Sequence, residues 1–114
     1  MDENRLREAG VDYDAALARF VGSRDIYERY LSKLLADTHT AEAEKAFAAG
    51  DYEEVLEQTH ALKGLAGTLG LKGLYESSAD IVKDLRDGKY ETLHEKLAQM
   101  KEEWERICEV IRNA

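Results

Sequence analysis

His60, Lys63, Gly64 and Gly67 fall within one short stretch, and this grouping is where the sequence is best equipped for chemistry. On a helical wheel of about 100° per residue, Val55, Leu62 and Leu69 fall together with Leu65 close by, opposite His60. Leu56, Lys63, Gly64 and Gly67 share the histidine's face, at the spacing of one or two helical turns. A free imidazole titrates near ~6.5, so at neutral pH much of it keeps a lone pair available for attack on phosphorus. Lys63, one turn away, could then offset the charge of a phosphoryl group with a mobile ammonium. Leu56 supplies an apolar contact on the same rim.

The glycines sharpen this reading. Each glycine inside a helix costs about 0.5–1 kcal/mol relative to alanine. Small residues on the leucine face would let a neighbouring helix approach closely. Here they lie on the histidine's face, where a helix surface bare of side chains lets another molecule reach the ring nitrogen. An isolated surface histidine or lysine would carry no such inference. The combination carries it.

The helix bearing these residues should run from Asp51, which with Glu54 predicts a capping box, to Leu69, where Gly70 closes it. The wheel turns Gln58 toward the core, where its amide would need a partner. Gly10, Gly22, Gly50, Gly70 and Gly88 punctuate the chain into a row of helices. A short segment around Asn4 to Glu8 comes first. A second, from Asp12 or Tyr13 to Val21, has Ala16, Leu17, Phe20 and Val21 as its apolar side. Ser23 then caps a helix on which Tyr27, Tyr30, Leu31 and Leu34 recur. Ala41, Phe47 and Ala48 extend its apolar positions to Gly50, and the pattern leaves open whether Asp37-Thr38-His39-Thr40 interrupts it.

From about Lys72 to Arg86, Leu74, Ser78, Ile81 and Leu85 form one stripe. Leu93, Leu97, Met100, Trp104, Ile107 and Ile111 form the seam of the last helix. The intervening turns are short enough to force antiparallel neighbours. The expected fold is all-α: an antiparallel up-down four-helix bundle over about 24–113, with short additional N-terminal helices over about 3–21 packing on one end, in a single domain spanning 1–114.

Composition narrows the function. The 114 residues include no proline and are 35% charged, which favours helix. A net charge of −8 argues against a nucleic acid or an anionic membrane, both of which need a basic face. Cys108 is the only cysteine, so no internal disulfide can form. The first twenty residues hold too many charges for a signal peptide, and no apolar run approaches the ~20 residues of a membrane span. A cytoplasmic monomer is expected. With no Gly-rich phosphate loop and no strand-based nucleotide site, the chain should not be an enzyme with its own ATP site.

The run His60-Ala61-Leu62-Lys63-Gly64-Leu65-Ala66-Gly67-Thr68-Leu69-Gly70 resembles the H-x-x-K-G signature segment of histidine-containing phosphotransfer (HPt) domains of multistep two-component phosphorelays. The stretch from Ala48-Ala49-Gly50-Asp51 to Leu85 is similar to that family's two central helices. The resemblance implies that His60 accepts a phosphoryl group, Lys63 stabilises the phosphohistidine and Gly64 leaves space for the incoming partner. Response-regulator receiver domains and a sensor histidine kinase would be the partners. Mg²⁺ would come with the receiver, and the chain itself would hold no cofactor. The N-terminal histidine domains of chemotaxis-type kinases are similar too.

Many members of the family have a polar side chain reaching the phosphohistidine from the next helix. The register across Gly70 puts Val82 near that position, with Ser77, Ser78 and Lys83 nearby. Two other readings compete. One is a helical protein-interaction module in which His60 is incidental. The other is a metal site of His39, His60, His94 and Cys108, disfavoured because no two of these have i, i+4 spacing. Glu53, Glu54 and Glu57 read as a solvated acidic edge.

Overall fold

The computed structural model describes residues 1–114 as α-helices joined by short turns, with no strand. In chain order these are α1 (Glu3–Glu8), α2 (Tyr13–Arg19), α3 (Arg24–Lys33), a 3₁₀ turn (Leu34–Ala36), α4 (His39–Ala48), α5 (Tyr52–Leu69), α6 (Lys72–Arg86) and α7 (Leu93–Asn113). The side chains of Asp2, Asp12, Ser23 and Asp51 accept hydrogen bonds from the first turns of α1, α2, α3 and α5, satisfying amides that have no partner within the helix. At Asp51 only half of the expected capping box forms. Glu54 Oε1 turns away to accept from Gln58 Nε2 at 2.7 Å, which also satisfies the Gln58 amide at a half-buried position.

The stretch from Ser23 to Gly50 is two helices, not one. Asp37 breaks it: its backbone is extended, and its carboxylate accepts the His39 N–H at 2.9 Å. The carboxylate also lies 2.8 Å from His39 Nδ1, and His39 is the first residue of α4. After this restart the apolar register shifts. Thr40, Ala43 and Ala46 are buried, Phe47 is half-buried, and Ala41 and Ala48 face solvent. In α3 and the 3₁₀ turn after it, Tyr27, Leu31 and Leu34 enter the core as the pattern predicts, whereas Tyr30 is exposed.

Helices α4 to α7 form the antiparallel bundle, α5 packing mainly on α4 and α6, and α7 closing the ring against both. Its core includes Val55, Leu62, Leu69, Leu74, Ile81, Leu97, Met100 and Ile107. Leu65 is only half-buried, and Thr59 and Ala66 take the core positions beside it. Thr59 sits there without an orphaned hydroxyl because its Oγ1 donates to Val55 O at 2.8 Å. Trp104 is likewise half-buried and anchors α7 to the 3₁₀ turn by donating from Nε1 to Leu34 O at 3.1 Å.

The N-terminal helices cover one end of the bundle and terminate α5. A helix leaves its last carbonyls without partners. Here Arg19 Nη1 donates to Gly67 O at 2.9 Å and Thr68 O at 3.1 Å, Tyr27 Oη donates to Leu69 O at 2.7 Å, and the Asp12 N–H donates to Gly70 O at 2.8 Å. Burial pushes the Tyr27 phenol well above its ordinary pKa and keeps it a donor. Gly70 itself is left-handed, at φ +75°. Leu6, Val11, Tyr13 and Ala16 bury completely or nearly so against this end. Val21 does not join them: at φ +55° and 95% exposed, it sits at the tip of the turn after α2. The chain ends meet on the same side, with Asp2 N–H donating to Ala114 O at 2.8 Å and Arg5 Nη1 to Asn113 O at 2.9 Å.

Candidate functional site

His60 stands exposed near the middle of α5, on the side away from Val55, Thr59, Leu62 and Ala66. A shallow groove of about 370 Å³ runs from it toward the C-terminal end of the helix, lined by Arg19, His60, Lys63, Gly64, Gly67, Thr68 and Tyr75. Leu56, half-buried one turn before His60, continues the same face in the other direction.

The two glycines serve different ends. A Cβ built on Gly64 would meet nothing within 4 Å, so the helix beside the imidazole borders open space. A Cβ on Gly67 would lie 3.3 Å from Tyr75 Cδ2: this glycine lets an aromatic ring from α6 lie close against α5. Gly67 therefore shapes the groove by packing and does not simply clear it. Lys63 Nζ stands 5.8 Å from the centroid of the same ring, a cation–π contact that engages the ammonium without tying it to a carboxylate.

The family's polar contact from the next helix has no counterpart at the expected register. Val82 is 1% exposed and apolar. Ser78 is buried, and its Oγ donates to Leu74 O at 2.7 Å. Ser77 lines a different hollow with Gly73 and Glu103, and Lys83 is exposed outside the groove. Tyr75 is the α6 side chain that reaches the groove. Sequence reasoning missed both Tyr75 and Arg19. For Tyr75 there was a signal, an aromatic residue just across the Gly70 turn from a helical glycine. For Arg19 there was none, because the contact joins elements about 48 residues apart.

The residues of the competing metal reading are dispersed. His39 is held by Asp37, His94 is exposed with its ring 6.0 Å from that of Phe47, and Cys108 is buried with Sγ 3.7 Å from Leu34 O. No three His, Cys, Asp or Glu side chains converge on a metal-sized space. No helix is long and apolar enough to cross a membrane.

An exposed imidazole with open space beside it, an unpaired ammonium one turn on, and no carboxylate in the groove suit the capture of an anionic electrophile by a ring nitrogen. Comparison with known families matches residues 29–110 to the Hpt domain. No curated protein and no solved structure matches the chain.

Proposed function

Because the chain belongs to the Hpt domain family, a family of histidine phosphotransfer carriers in phosphorelays, we propose that His60 is its phosphoacceptor and exchanges the group with receiver-domain aspartates. The observation that carries this reading is the exposed His60 ring beside the bare helix surface at Gly64. In the transfer, the ring nitrogen's lone pair forms the N–P bond as the acyl-phosphate P–O bond breaks, and the partner's carboxylate leaves with the electron pair. Lys63 offsets charge on the phosphoryl oxygens. Mg²⁺ would be held by the receiver, where it would offset charge on the phosphoryl group. Helix α5 positions the nucleophile and the receiver supplies the electrophile, so the carrier needs no ATP site of its own, and we propose that it works as a cytoplasmic monomer. A sensor kinase stands upstream of the receivers in such a relay.

Mixing the protein with a phosphorylated receiver domain tests this directly. Acid-labile, base-stable phosphate should appear on His60. Label on any other residue, or none across a panel of receivers, would sink the reading.

Gly64 yields a second test with opposed effects. Its backbone is helical and an added methyl meets no atom, so Gly64→Ala should stabilise the fold by about 0.5–1 kcal/mol in urea unfolding. The same methyl intrudes on the partner's approach. Transfer from the receiver should slow even as stability rises, and Gly64→Gln should slow it further. Unchanged transfer in both variants would remove Gly64 from the docking surface.

A further inference from the structure

The groove beside His60 is an electrostatic exception in an acidic protein. The chain carries 24 acidic against 16 basic side chains. Each of the other four sizeable surface hollows includes at least one Asp or Glu, whereas the His60 groove includes none and holds both Arg19 and Lys63. Neither cation is spent on an ion pair. Six of the eight arginines lie within 4.0 Å of a carboxylate, namely Arg5, Arg7, Arg24, Arg29, Arg106 and Arg112. Arg19 instead uses one nitrogen, Nη1, on the Gly67 and Thr68 carbonyls. Its Nε and Nη2 donors have no partner within the protein, and the residue is exposed. Arg19 also lines the adjoining hollow, which holds Asp12, Lys72 and Glu76, yet it forms no ion pair with either carboxylate.

Charge also reverses along α5. Exposed Glu53 and Glu57 precede His60, and Lys63 and Arg19 follow it. A partner approaching this face meets a negative end, a nucleophile and a positive end in that order. A docked partner with an acidic patch beside its reactive group is thereby held in one orientation.

Resting on the proposed relay function, we propose that Arg19 is a docking cation that recognises a carboxylate on the receiver's surface and fixes the orientation in which the receiver meets His60. Two helical turns separate the Gly67 carbonyl from His60, about 10 Å along the axis, so Arg19 contacts the partner's body and not the transferring phosphorus. Arg19 also lies outside the stretch matched to the Hpt domain, residues 29–110. The N-terminal helices thus bring to the site a cation from outside the matched stretch. The two backbone hydrogen bonds immobilise the guanidinium before the partner arrives, which lowers the ordering cost of binding.

The test compares wild type, Arg19→Gln and Arg19→Lys in transfer from an acetyl-phosphate-charged receiver domain, at low and high salt. Arg19→Gln should lower kcat/KM about 10-fold at low salt, through KM, and the gap should close as salt screens the pair. Arg19→Lys should recover most of the loss, because it keeps the charge while weakening the carbonyl clamp. Labelling of His60 by phosphoramidate, which needs no docked protein, separates docking from chemistry. Wild-type transfer by Arg19→Gln would overturn the inference. So would a loss that lysine does not rescue and that tracks a lower melting temperature, since Arg19 would then be only a strut for α5. A wild-type protein labelled by phosphoramidate but by no receiver would overturn the relay function itself.

Discussion

Replacing His60 by glutamine should abolish phosphate uptake from a phosphorylated receiver while leaving the fold intact. The side chain is exposed and makes no hydrogen bond to the rest of the protein, so the change in stability should stay within about 0.5 kcal/mol. Glutamine keeps a polar, uncharged side chain of comparable reach but has no nucleophilic ring nitrogen. Transfer should fall to background in a phosphorelay assay, with circular dichroism and melting temperature unchanged. Residual labelling at the wild-type rate would move the phosphoacceptor elsewhere, and the remaining histidines make poor substitutes. His39 is tied to Asp37, and His94 lies on α7 outside the groove.

Gly70→Ala should produce the largest loss of stability of any single-methyl change in the α5–α6 turn. The backbone there is left-handed at φ +75°, and an added Cβ would lie 2.6 Å from the Asp12 carbonyl oxygen and 3.1 Å from Ala16 Cβ. A side chain in the left-handed region costs about 1–2 kcal/mol by itself. The clash is with backbone, which cannot swing aside as a flexible side chain could. The opposing wall is α2, so relief requires the N-terminal helices to shift and strains the Asp12 to Gly70 hydrogen bond. Urea unfolding should show a loss of about 2–4 kcal/mol. A loss below about 1 kcal/mol would mean that α2 is not firmly seated on this end of the bundle.

The parts of the fold that a sequence displays best are those written in local periodicity. The stripes of α6 and α7, the glycine stops, and the outward position of His60 relative to Val55 and Leu62 all follow from about 3.6 residues per turn. What the pattern could not supply was contact between distant segments. The break at Asp37 depends on a carboxylate choosing the His39 backbone over solvent, and it reset the register so that Ala43 and Ala46 replaced Ala41 and Ala48 in the core. Val21 looked like a core residue because it continued an apolar spacing, but the chain turns at φ +55° before it can face inward. At the candidate site, His60, Lys63 and Gly64 were legible because they share one helix. The second role of Gly67, as a seat for Tyr75, and the arrival of Arg19 were not, since each needs a neighbour brought in by tertiary packing.

The hydrogen bonds between Asp2 and Ala114 and between Arg5 and Asn113 make the chain topologically almost a ring. Joining its two ends would need only a short bridge, and loop-closure entropy grows slowly with length. Such a ring can be opened at another exposed turn, as at Gly88, without disturbing the order in which the helices pack. It can equally be spliced into a host chain as a cassette, both connections leaving by one pole of the bundle. The imidazole, mid-way along α5 and facing sideways, would stay clear of them.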